Sequence, residues 1–267
     1  QIVAMTDHWQ WALSGAGAIG KAANSSFAAS IAGAVAVNKG TTNNTVTVNG
    51  LTVLNPAELN IGSLTEGSLV SEGLGLAVAN GGKNTMGFTG GVSYNATANN
   101  VTTDVAGLTY NPGNAVGDYH QHASAKDHQI TGGTGIGVSK GTKNSAAIGA
   151  SVAIAGMTNT IKSDLSNSTL TNVNLVDVEA LTRLLQINTA VGVQIAKGSN
   201  SLALNGSFIQ SEITNTVSSS VKNSTIDLTP TGGVNVTASD GDATQFLVDY
   251  LLHLTPSKTH SEKEYVT

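Results

Sequence analysis

The 267-residue chain contains no cysteine. Thiol catalysis, disulfide staples and Cys-ligated metal centres are therefore excluded, while the compartment stays open, because exported proteins of this size need no disulfides. Charge is scarce as well: Asp, Glu, Lys and Arg make up 11% of residues, the net charge is −5, and Arg183 is the sole arginine. A basic footprint for nucleic acid is absent. Aromatics amount to 4% and proline to four residues, less than the core of an ordinary enzyme of this length requires. No apolar run approaches the ~20 residues of a membrane helix. No secretory signal is present, and a chain that opens at Gln1 reads as a piece of something longer, attached to a membrane only through other parts of its parent.

What remains is small and weakly polar: 31 Gly, with Asn, Thr, Ser, Ala and Val making up most of the rest. With 40% hydrophobic residues and a mean hydropathy of +0.05, disorder is a poor reading. Thin, stacked β-structure suits this composition.

Internal similarity supports that expectation. Turn-like Gly/Lys/Asn clusters recur as GKAANSS from Gly20, GGKNTM from Gly81, GTKNSA from Gly141 and KGSNSL from Lys197. Their Asn24, Asn84, Asn144 and Asn200 lie at steps of 60, 60 and 56. A second landmark ends at Val46, Val101, Ile161 and Val217, and a third, NSTL at Asn167 and NSTI at Asn223, keeps the last step. Between landmarks the pattern has period two, as in Val217, Ser219 and Val221, or Val234, Val236 and Ala238. Val176 to Leu185, the best helical candidate, falls where other copies read as strand.

The expected fold is all-β, a right-handed parallel β-helix of about four repeats of 56–60 residues, a single segment with repeats near 12–67, 68–127, 128–185 and 186–254 and a tail at 255–267. A repeat this long suggests about three rungs of ~20 residues, hence a dozen rungs and a rod about 60 Å long. Lys140 to Asn144 also allows a hairpin tip, and the sequence leaves both layouts open. Ile154, Ile161, Val217, Val234 and Val236 are the expected rung cores.

The order GxGxxxxKGxxNS, S-V-A-I-A or A-V-A-V-N, TNTI or TNTV, NST, then V-x-V-x-A resembles the repeats of giant filamentous adhesins, exported as autotransporters or by two-partner secretion, including leukotoxin-like filamentous adhesins. The resemblance runs from Ala12 to about Leu254. It implies a surface-exposed or secreted β-helix, with receptors or glycans of host or neighbouring cells as partners and binding often located elsewhere in the polypeptide.

Candidate sites are few. Asp118, His120 and His122 share one face of a strand and could hold Zn or Cu; the alternative is a solvated outer face, with Tyr119, Gln121 and Ala123 inward. Asp127-His128, matched by Asp7-His8, suggests a turn. Asp240 and Asp242 are oxygen donors suited to Ca²⁺, or an ordinary loop. Gly132, Gly133, Gly135 and Gly137 lack the helix and acid of a dinucleotide cradle and read better as close strand packing. Trp9 and Trp11 could stack on a sugar or cover a neighbouring rung. Asn repeated along a stack would form amide ladders. The acids are scattered, Arg183 is isolated, and no nucleophile motif occurs. The expectation is a non-enzymatic spacer or adhesive filament without cofactor, able to associate end to end; a carbohydrate-binding or carbohydrate-active β-helix is the alternative.

Overall fold

The computed structural model describes residues 1–23 and 26–241. Among the described residues there are eleven strands and no helix: β1 (Ile2–Lys21), β2 (Phe27–Asn49), β3 (Thr52–Leu54), β4 (Glu58–Asn80), β5 (Asn84–Ala106), β6 (Thr109–Asn111), β7 (Gly117–Lys140), β8 (Asn144–Ser166), β9 (Thr169–Lys197), β10 (Asn200–Lys222) and β11 (Thr225–Asp240). Val176 to Leu185 lies inside β9, as strand. All pairings are parallel, and the chain is a β-solenoid built from repeats. One sheet runs β1-β4-β7-β9, continuing through β6 and β3, with β11 also on β9; the other runs β10-β8-β5-β2.

The register fixes the rung. Ile2 lies beside Ile61, Leu59 beside Tyr119, Tyr119 beside Val176, and Val176 beside Val234. In the second sheet Asn84, Asn144 and Asn200 form one row. Neighbouring strands are thus one whole repeat apart, which corrects the expectation of three rungs per repeat. Each rung consists of two strands of about 23 residues, and four rungs span only about 20 Å of stack against a width of about 75 Å. Strands normally run 3–10 residues, and here Asn, Thr and Gly that read as turn residues lie in mid-strand. Inward Asn and Thr side chains such as Asn95, Asn99 and Thr97 are hydrogen-bonded there, so the strand continues through them.

Lys140 to Asn144 is a turn, but not a hairpin tip. β7 pairs with β4 and β9, and β8 with β5 and β10, so the flanking strands meet through side chains rather than backbone hydrogen bonds. Copies of this turn stack: Gly81 N–H donates to Lys140 O, and Gly141 N–H to Lys197 O. At the other end of each rung the residue just after the long second-sheet strand takes positive φ: Gly50 (63°), Gly107 (65°), Asn167 (49°) and Asn223 (50°). Gly and Asn are the residues that tolerate this region. The third landmark is therefore present in all four copies, hidden in the first two by Gly in place of Asn. In the first copy the earlier landmarks are displaced. Asn44, not Val46, lies beside Val101, and Phe27 lies beside Asn84, while Asn24 is outside the described residues.

The interior has three zones. Next to the positive-φ turns it is apolar: Leu59, Ile61, Val105, Tyr110, Tyr119, Leu165, Val176 and Val178 form one cluster. The centre is polar, and towards the Lys-bearing turns the facing residues are Gly, Ala, Ser and Thr. There the sheets come close. A Cβ on Gly91 would stand 2.3 Å from the carbonyl oxygens of Gly73 and Thr134, and one on Gly133 2.3 Å from that of Val152. Ile161 is fully buried and Val217 packs beside it. Val234 and Val236 lie beside buried Val176 and Val178, but on the last described strand they are 45% and 43% exposed, which corrects their reading as rung cores. Ile154 corrects the expectation: Ser151 and Ala153 are inward, while Val152 and Ile154 point out. In the half near the Lys-bearing turns the usual pattern is inverted, small residues inside and large apolar ones outside.

Candidate functional site

Asp118, His120 and His122 do share one face, the outer one, while Tyr119, Gln121 and Ala123 are buried behind them. The neighbouring strand places Asp177 beside His120 and Glu179 beside His122. His120 Nδ1 is 3.8 Å from Asp177 Oδ2, and Asp177 Oδ1 accepts a 2.8 Å hydrogen bond from Asn235. Asp118 accepts from Asn174 at 3.5 Å. The His122 ring lies over Gly62, where a Cβ would meet its Nε2 at 2.4 Å. Burial, with help from His120, lowers the His122 pKa and keeps the imidazole neutral; burial and Asp177 raise that of Glu179. Extended strands spread these groups along a flat face instead of converging them. Among the described residues no three His, Asp or Glu side chains are placed to hold a metal ion.

Asp127 is not in a turn, nor is Asp7-His8; both pairs lie within strands, β7 and β1. Asp127 points inward and is fully buried. His8, Gly67 and Asp127 form one row across three strands. A side chain on Gly67 would collide with both neighbours; its absence lets His8 Nε2 approach within 3.9 Å of Asp127 Oδ1 across an intervening strand. Asn99 Nδ2 donates to Asp127 Oδ2 and, at 2.8 Å, to Asn159 Oδ1. Neither His8 nitrogen nor Asp127 Oδ1 has a hydrogen-bond partner. Burial pushes the Asp127 carboxyl up to about 7, against the lowering effect of Asn99, and burial lowers the His8 pKa. No sequence spacing signals this pair, because the two residues are 119 positions apart and meet only through the 59- and 60-residue register steps.

Asn99 begins an interior amide ladder. Asn159 Nδ2 donates to Asn215 Oδ1 at 2.9 Å, and Asn215 Nδ2 donates to Asp240 at 3.0 and 2.9 Å. Asp240, which also accepts from Thr182, thus terminates a side-chain ladder; Asp242 lies outside the described residues. A second ladder stands on the surface, Asn200 to Asn144 to Asn84 at 3.0 and 2.7 Å.

Gly132, Gly133, Gly135 and Gly137 all lie within strand β7, with Gly133, Gly135 and Gly137 inward against the second sheet. Trp9 and Trp11 stand side by side on the outer face of β1, 65% and 66% exposed, and the Trp9 ring meets His128 edge-on at 6.1 Å. Arg183 closes an outer row of Asp7, Glu66, Lys126 and Arg183, in which Lys126 and Glu66 are 3.9 Å apart. No family model, no curated protein and no solved structure matches this chain.

Proposed function

We propose that this segment is a structural and adhesive unit of a bacterial surface or extracellular filament, a stiff spacer or self-assembling fibre rather than an enzyme. One observation carries the reading: rung after rung repeats the same register over two 23-residue strands, bound by backbone ladders and by two amide ladders. A stack held by so many bonds in parallel resists bending and stretching. Among the described residues the titratable groups lie along flat faces or inside, without the groove of convergent acids that sugar chemistry uses. The resemblance to filamentous adhesin repeats points the same way and carries the extracellular location and the receptor or glycan partners.

Pulling the chain by its ends in an optical trap tests the spacer role. Steps of one rung, about 200 Å of released contour at ~3.5 Å per residue, should appear at high force. A single low-force collapse of the whole chain would sink the proposal. The exposed Trp9 and Trp11 pair favours the carbohydrate-binding alternative. A glycan array probed with the chain and with Trp9→Ala/Trp11→Ala decides it: binding lost in the variant supports a sugar platform.

A further inference from the structure

Beyond the surface amide row of Asn84, Asn144 and Asn200, the outer face of the β2-β5-β8-β10 sheet is apolar over nine positions, Ala29 to Val37 and their neighbours in register, with Gln210 at its far corner. Across the four strands the rows read Ile31/Phe88/Ile148/Leu204 and Val35/Val92/Val152/Phe208, with the row Gly33/Gly90/Ala150/Gly206 between them. Ile31 is 72% exposed and Phe208 52%. Two ridges therefore flank a furrow, and no charged residue falls within the band. The opposite outer face is also rich in apolar residues, but Glu72 interrupts it. We propose that this uncharged face binds a second copy of the same chain, face to face, with the strands of the two copies antiparallel.

Three arguments select that occupant. First, the band covers about 30 Å by about 19 Å, so two copies would bury roughly 1,100 Å², above the ~1,000 Å² that a specific interface clears. A patch of about 570 Å² lies at the upper end of what a lone molecule exposes, where such patches often mark binding surfaces. Second, the face is complementary to itself when antiparallel. A ridge of Ile31 and its row meets the partner's Gly33 furrow, and the Val35 row meets the row Ala29/Met86/Ala146/Leu202. Antiparallel packing also separates the lysines at the turns, Lys83, Lys140, Lys143 and Lys197, which a parallel arrangement would crowd together. Third, a bilayer fits poorly. Among the described residues β2 pairs only with β5 and β10 only with β8, and open backbone edges do not survive in hydrocarbon, where nothing satisfies their unpaired N–H and C=O groups. A protein face leaves those edges in water. This contact is lateral, distinct from association through the ends of the stack, and it does not depend on the proposed adhesive role.

Sedimentation velocity on the full chain tests it. The wild-type chain should sediment as a dimer or larger at micromolar concentration. Ile148→Lys/Val152→Lys should sediment as a monomer with an unchanged circular dichroism spectrum, while Thr160→Lys, on the polar half of the same strand face, should still associate. Ala150→Arg fills the furrow from an exposed position and should also give the monomer, should the double variant misfold. A wild-type monomer, or association that survives both face variants, overturns the proposal. So does a monomer that floats with phosphatidylcholine–phosphatidylglycerol vesicles and loses flotation in the double variant, which would assign the face to lipid.

Discussion

Replacing Asp127 with Asn should stabilise the protein at neutral pH and remove part of its pH dependence. Asn is nearly isosteric, and its Oδ1 can keep the hydrogen bond from Asn99. The carboxyl is fully buried, and its pKa rises from 3.8 to about 7. The folded state therefore holds this proton more tightly than the unfolded chain. The stability that this carboxyl contributes is complete below about pH 4, falls as the unfolded carboxyl ionises, and is fully lost once pH passes about 7. At 1.36 kcal/mol per tenfold in proton affinity, the difference amounts to about 4 kcal/mol. His8 acts in the opposite sense: its lowered pKa costs stability as pH falls below its ordinary value of 6.5. That contribution is common to both proteins and cancels in their difference. Thermal unfolding followed by circular dichroism across the pH range should show the gap between Asp127→Asn and wild type widening from acid to about pH 8, to roughly 10 °C for a chain of this size. A gap that stays constant with pH would refute the reasoning.

Ile161→Asp should place an unpaired charge among Val101, Ala123, Ala125 and Ala180 and cost several kcal/mol; hydrogen exchange should lose protection in neighbouring rungs first, and uniform loss would mean one global core. Asn159→Ala should cost about 1–3 kcal/mol in chemical denaturation, since Asn99 and Asn215 both lose a partner, whereas Asn144→Ala on the exposed ladder should cost well under 1 kcal/mol. Gly133→Leu should destabilise by about 3 kcal/mol or more, because its Cβ alone would stand 2.3 Å from the Val152 carbonyl oxygen; a variant with an unchanged melting temperature would show that the sheets can separate there.

The all-β class, the parallel repeats and the amide ladders were legible because each is written as a period. Val234, Val236 and Ala238 match Val176, Val178 and Ala180 in sequence and lie beside them in the fold. Rung size was not legible. Inward Asn95, Asn99 and Asn159 look like turn residues to any rule that assumes an apolar interior, yet Asn95 donates to Ile130 O and Thr131 Oγ1 in mid-strand. The same assumption misplaced Ile154, since alternation identifies two faces without saying which one is inside. The His8–Asp127 pair was hidden for a different reason: its geometry depends on an absent side chain, Gly67.

A rung of 56–60 residues also shapes how the chain acquires its structure. No inter-strand hydrogen bond can form until an entire rung has looped back on its predecessor, and closing a loop of that length costs about 4 kcal/mol of chain entropy. The first contact between two rungs is therefore a rare event. Each later rung meets a ready template of two 23-residue edges and zips onto it. Assembly resembles the growth of a crystal from a seed, with a lag before the first pair and fast, directional addition afterwards.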